Sequence, residues 1–111
     1  GIAAGIGQAL GEEVVYDGQG NLLTSTFIDY QIVTADLLPS FDLAPSAVPS
    51  SSNELGFKAV GESGTIGATP AVHNAVLDAL RARGVEHLDI PLTPEKIWAA
   101  LTAVGGPGGA A

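Results

Sequence analysis

An α+β fold, read as a mixed α/β fragment, is what this sequence predicts. Three observations carry it: apolar residues recur at helical spacing near the start, two strand-like runs flank a turn-rich pentapeptide, and two capped helical stretches close the chain. In Gly1 to Gly11 there is no charge, and Ile2, Ile6, Ala9 and Leu10 recur at helical spacing, which predicts a buried, glycine-rich helix. Its internal glycines imply close packing against another element.

Glu12-Glu-Val-Val-Tyr16 passes through Asp17-Gly-Gln-Gly-Asn21 into Leu22-Leu-Thr-Ser-Thr-Phe27, a pattern that predicts a β-hairpin. Ile28 to Val33 extends the second strand, and Phe41-Asp-Leu43 reads as a further short strand. The Pro/Ser stretch Ala44 to Asn53 has the composition of a linker, yet neither flank is long enough to carry its own core. Residues 1–104 are therefore read as one unit. Gly56 to Gly67 is a glycine-rich loop that brings backbone close to something else.

Thr69 as N-cap, Pro70 at the first helical position and Gly84 as stop predict the next helix, with Val72, Val76 and Leu80 as its apolar stripe, flanked by Ala75 and Ala79. Thr93-Pro94-Glu95 opens the last helix, which sets Ile97, Trp98 and Leu101 on one face before Gly105. The remainder, Gly105 to Ala111, reads as a disordered tail.

Hydrophobic residues make up 46% of the 111 residues and charged residues only 14%, against about 25% charged in ordinary soluble domains. Such a surface favours a segment whose apolar faces are covered by more protein over a free domain rich in Ala and Gly. A net charge of −8 with four Lys and Arg leaves no footprint for nucleic acid or anionic lipid. The absence of Cys and Met removes disulfides, thiolate metal sites and a cysteine nucleophile, and is compatible with a cytoplasmic protein. The start at Gly1, without a signal-peptide pattern, reads as processed or excised, and no apolar run is long enough to span a membrane.

Chemistry concentrates on one loop. Gly61-Glu-Ser-Gly-Thr65 approaches a hydrolase nucleophile elbow, but Thr65 stands where the second glycine belongs. His73 and His87 lack metal-site spacing, so no metal ligand is assigned, and Gly5-Ile-Gly7 lacks the third glycine of a dinucleotide fingerprint. Glu62 sits between Gly61 and Gly64 in an apolar setting, where partial desolvation strengthens a carboxylate as a base. An exposed loop glutamate is the alternative.

Gly56-Phe-Lys-Ala-Val-Gly-Glu-Ser-Gly-Thr-Ile-Gly-Ala68 closely resembles the Gly-Val-Lys-Gly-Val-Gly-Glu-Ala-Gly-Thr-Ile-Gly-Ala pattern of the large subunits of aerobic carbon monoxide dehydrogenases and related molybdenum hydroxylases, the xanthine dehydrogenase group. Six further blocks follow the family in the same order: Gly5-Ile-Gly-Gln-Ala-Leu10, Glu12 to Asp17, Phe27-Ile-Asp-Tyr30, Asp36 to Phe41, Pro70 to Val72 with Asn74-Ala75, and His87 to Glu95.

The resemblance implies the C-terminal segment of a molybdopterin-binding domain, over residues 1–104. It implies a molybdenum-bearing molybdopterin cytosine dinucleotide in the intact enzyme, though not in these residues alone. Glu62 would be the base in oxidative hydroxylation of an aldehyde, an N-heterocycle or carbon monoxide, with Val60 and Gly61 along the cofactor. Gly64 and Gly67 fit a tight turn feeding the helix. Implied partners are the rest of the large subunit, iron–sulfur and flavin subunits and a small-molecule substrate. Ala4, Phe57 and Ser63 depart from the family pattern, and Ala4 stands where Gln is usual. Two rival readings are a non-catalytic structural or assembly domain that keeps the fold, and a hydrolase using Ser63, which needs a histidine and an acid within reach.

Overall fold

The computed structural model describes residues 1–105. Its first helix, α1 (Ile2–Leu10), lies where the spacing predicts it and buries Gly5, Gly7 and Ala9. It ends as the N–H groups of Gly11 and Glu12 both donate to the Gly7 carbonyl at 2.9 Å.

The predicted hairpin is reduced to one isolated antiparallel bridge, Tyr16 with Leu22. Its turn is well made: Asp17 carboxylate oxygens accept from the Gln19 N–H at 2.8 Å, the Asn21 N–H at 2.9 Å and the Asn21 side chain at 2.8 Å. These bonds, led by that of the Asn21 side chain, hold the Asp17 carboxyl below its ordinary value. What is missing is a second layer, since Val14, Tyr16, Leu22 and Leu23 are all exposed and a lone two-stranded ribbon is marginal in water. The strands expected at 28–33 and 41–43 are likewise absent, and the only regular element between α1 and residue 62 is a single 3₁₀ turn, Ala35–Leu37. The α+β expectation is thus corrected: among the described residues the regular structure is helical, with no sheet.

Helix α2 (Ser63–Arg81) begins six residues before Pro70's neighbour Thr69, so Ser63 to Ala68 is helix rather than loop and Thr69 is no cap. Pro70 lies inside it, where its lack of an N–H leaves the Ile66 carbonyl without its usual partner. The turns on the N-terminal side of Pro70 are packed against α1, with Gly5 lying against Thr65, Ala68 and Thr69. The stripe is also rotated: Leu77 and Leu80 are buried, Val72, His73 and Val76 half-buried, and Ala75 and Ala79 exposed.

Helix α3 (Pro94–Val104) starts as predicted, with the Thr93 hydroxyl accepting from the Lys96 N–H at 3.3 Å and Pro94 in the first turn. Ile97 and Leu101 are half-buried, but Trp98 is 70% exposed and leaves the expected face uncovered. Of the predicted tail, Gly105 caps α3 and residues 106–111 lie outside the described residues.

Ala9, Leu77, Leu80, Val85 and Leu92 form the core. The Leu92 N–H donates to the Ala9 carbonyl at 2.7 Å, Lys96 pairs with Glu13 at 2.8 Å, and His73 Nε2 meets the Leu88 carbonyl at 2.9 Å. The end of α1, the α2–α3 connection and α3 are thereby tied together. Outside this knot the chain spreads: its radius of gyration is 18.6 Å, against about 13 Å for a compact domain of this length. Phe27, Ile28, Leu43, Leu55 and Phe57 all stand open to solvent, as the low charge content leads one to expect of a segment covered by more protein.

Candidate functional site

The site is built on the crossing of α1 with the first turns of α2. The two backbones touch: a Cβ on Gly5 would sit 2.7 Å from Ala68 Cβ, and one on Gly64 would sit 3.0 Å from the Ile2 nitrogen. Glycine is required here for close approach rather than for a turn. This corrects the reading of Gly64 and Gly67, which lie within the helix.

Glu62 is the residue immediately before α2, with its carbonyl accepting from the Ile66 N–H at 3.0 Å. Its side chain is exposed at the edge of an open recess of about 550 Å³ lined by Gln8, Glu62, Thr65, Ile66 and Thr69. Glu62 is the only ionisable group in that lining. The Thr69 hydroxyl lies 2.8 Å from Gln8 Oε1, and with that oxygen engaged the two N–H donors of the Gln8 amide are left for another acceptor. Gln8 is the one polar side chain of α1, a signal available in the sequence. Thr65 and Thr69 gave none, because their role depends on contact with a helix about sixty residues earlier.

Val60 and Gly61 do not line this recess. They open on a neighbouring, mainly apolar hollow with Ile2, Ala3, Phe41 and Leu43, where Val60 is 70% exposed and nothing crowds Gly61. Three candidate residues contiguous in sequence therefore face two hollows either side of the helix start.

The hydrolase geometry is not present. Ser63 Oγ donates to the Val60 carbonyl at 3.2 Å, while His73 is engaged with Leu88 and His87 with Asp89. Among the described residues no group of three or more His, Cys, Asp or Glu could hold a metal ion, and no helix is long and apolar enough to cross a membrane. Ala4 is exposed on α1, and Phe57 is exposed with its backbone bonded on both sides to the Asn53 side chain, at 2.9 and 3.0 Å.

Comparison with known proteins converges on one group. Residues 1–39 match the molybdopterin cofactor-binding domain family. The nicotine 6-hydroxylase large subunit of Paenarthrobacter nicotinovorans is 43% identical over 104 residues, which is 94% of this chain and 13% of that protein. Quinoline 2-oxidoreductase from Pseudomonas putida 86 superposes with a TM-score of 0.85 at 42% identity, covering 91% of this chain and 13% of that one. A Cu,Mo-CO dehydrogenase in its carbon monoxide reduced state superposes with a TM-score of 0.88 at 32% identity, covering 94% and 13%. The chain thus spans about an eighth of the relatives it matches.

Proposed function

Because the chain belongs to the molybdenum hydroxylase large-subunit family, we propose that residues 1–104 are the C-terminal segment of such a subunit and that Glu62 is its proton-abstracting base. The observation that carries this reading is the placement of Glu62: a lone carboxylate at the start of a helix braced by α1, at the edge of a recess it shares with Gln8. A base must reach the proton it takes before its basicity matters. A carboxylate standing free of hydrogen-bond partners within its own segment has both oxygens available.

The residues at hand fit the edge of a molybdopterin cofactor. The Gln8 amide gives a polar partner on one side of the helix start, and the uncrowded Gly61 backbone with Val60 gives a close, apolar approach on the other. When bound, the cofactor supplies the two-electron oxidation of the substrate carbon. Glu62 contributes by holding the abstracted proton on a carboxylate oxygen, and Val60 and Gly61 by shaping the wall.

In this reading the exposed apolar faces meet the remainder of the large subunit, which also desolvates Glu62. The cofactor is the cytosine dinucleotide form, iron–sulfur and flavin subunits take the electrons, and the substrate is an aldehyde, an N-heterocycle or carbon monoxide, in a cytoplasmic enzyme. Glu62→Gln in the intact enzyme keeps the shape and removes the base, so turnover falls by about 10²- to 10⁴-fold with molybdenum content retained. Near-normal turnover would remove Glu62 from the mechanism. The 111-residue chain alone is expected to hold no molybdenum and to reduce no dye with aldehyde, purine or carbon monoxide. Stoichiometric metal in it would overturn the fragment reading.

A further inference from the structure

The start of α2 is a poor helix by its own chemistry. No side chain caps it, Gly64 and Gly67 fall in its first turns, and Pro70 interrupts its hydrogen-bond ladder. Yet Glu62 is fastened to this end. What steadies it is a pair of hydroxyls directed across the helix crossing.

Thr65 and Thr69 lie one turn apart on α2, and the carbonyls they meet, those of Gly1 and Gly5, lie one turn apart on α1. The Thr65 hydroxyl donates to the Gly1 carbonyl at 3.1 Å. The Thr69 hydroxyl has the Gly5 carbonyl at 3.3 Å, Gln8 Oε1 at 2.8 Å and the Thr65 carbonyl at 3.0 Å as acceptors for its single proton. Two of those three acceptors belong to α1. A Cβ on Gly5 would lie 3.0 Å from the Thr65 carbonyl oxygen and the Thr69 nitrogen, and one on Gly1 would lie 3.1 Å from Gly64 Cα, so at this close approach the hydroxyl bonds set the register of the two helices rather than merely adding attraction. Glu62 precedes Thr65 by less than one helical turn and follows wherever that turn is anchored.

We propose that Thr65 and Thr69 are positioning residues, whose hydroxyls clamp the start of α2 to α1 and so hold Glu62 at its working place. This rests on the reading of Glu62 as base. The clamp touches no reacting atom; it acts through the carboxylate it places.

The test compares the Thr65→Val/Thr69→Val variant with Thr65→Ser/Thr69→Ser in the intact, assembled enzyme, by dye reduction with aldehyde, purine and carbon monoxide. Valine keeps the volume and loses the hydroxyl, whereas serine keeps the hydroxyl. The valine pair should lower kcat by about 10- to 100-fold, the scale of misplacing a reacting group by about 1 Å, with KM changed less than about twofold and molybdenum retained. The serine pair should restore kcat to within about threefold of the parent, because the donor is kept. If the valine pair does not assemble, Thr65→Val alone removes the Gly1 bond and should lower kcat by about three- to tenfold, again restored by serine.

Valine variants with unchanged kcat, or serine variants as slow as the valine ones, would overturn the clamp. Glu62→Gln measured in parallel separates the two failures. An inactive Glu62→Gln with normal valine variants removes the clamp and leaves the base, whereas an active Glu62→Gln removes both.

Discussion

The helix crossing and the long segment from Asp17 to Gly61 have comparable apolar content but opposite structural character. At the crossing, glycines let α1 and α2 touch, threonine hydroxyls bond across the seam, and Ala9 is fully buried. Along the segment, hydrogen bonds are mainly local, as in the Asp17 turn and the Asn53–Phe57 loop, the Tyr30 hydroxyl on the Glu12 carboxylate being the exception, and Phe27 and Ile28 are 85% and 95% exposed. Hydrophobic residues alone do not make a core; they need a second surface at the right distance. The crossing carries both of its surfaces within this chain, whereas the middle segment carries one.

The sharpest way to break the first region is Leu92→Ala. Leu92 is 1% exposed and its N–H is bonded to the end of α1, so its truncation should cost about 2–4 kcal/mol. Urea unfolding of the chain checks this, and a cost under about 0.5 kcal/mol, the scale of a surface change, would show that Leu92 is no keystone. Gly5→Ala comes next. The new methyl would meet Ala68 Cβ at 2.7 Å, and overpacking of about 1–3 kcal/mol should exceed the gain of about 1 kcal/mol in helix propensity. A stabilised Gly5→Ala chain would mean that the helices can part without penalty.

The second region predicts the reverse pattern. Phe27→Ser with Ile28→Ser should change the unfolding free energy of the isolated chain by less than about 0.5 kcal/mol, as for exposed sites. In the whole subunit the same pair should reduce soluble assembled enzyme. A large loss in the isolated chain, or none in the subunit, would erase the contrast.

The smallest effect concerns pH. Bonding by the Asn21 side chain, then by the Asn21 and Gln19 N–H groups, holds the Asp17 carboxyl below its ordinary 3.8. A depressed folded value means the ionised carboxylate favours the turn above the unfolded value, and this support is lost as pH falls through the folded one. Acidification should therefore loosen the Gln19 and Asn21 amides, seen as NMR shifts below about pH 4, and Asp17→Asn should abolish that titration. Amide shifts unmoved by acid would detach the turn from this carboxylate.

Local chemistry in the sequence was enough for α1, for the Asp17 turn, and for the Thr93-Pro94 start of α3, because capping, proline placement and helical spacing act over a few residues. It also pointed to Glu62, through the resemblance of the surrounding loop to a known family. Tertiary structure alone decided where α2 begins. A proline preceded by two glycines reads locally as loop then helix, yet one of those glycines, Gly64, lies against the backbone of Gly1 and Ile2 some sixty residues away, and the helix extends back to Ser63. The same contact recruited Gln8, Thr65 and Thr69 to the recess beside Glu62 and turned Val60 and Gly61 toward another hollow. The hairpin failed for the complementary reason. Its apolar runs suit strands, but strands become a sheet only against another layer, and these residues do not supply one.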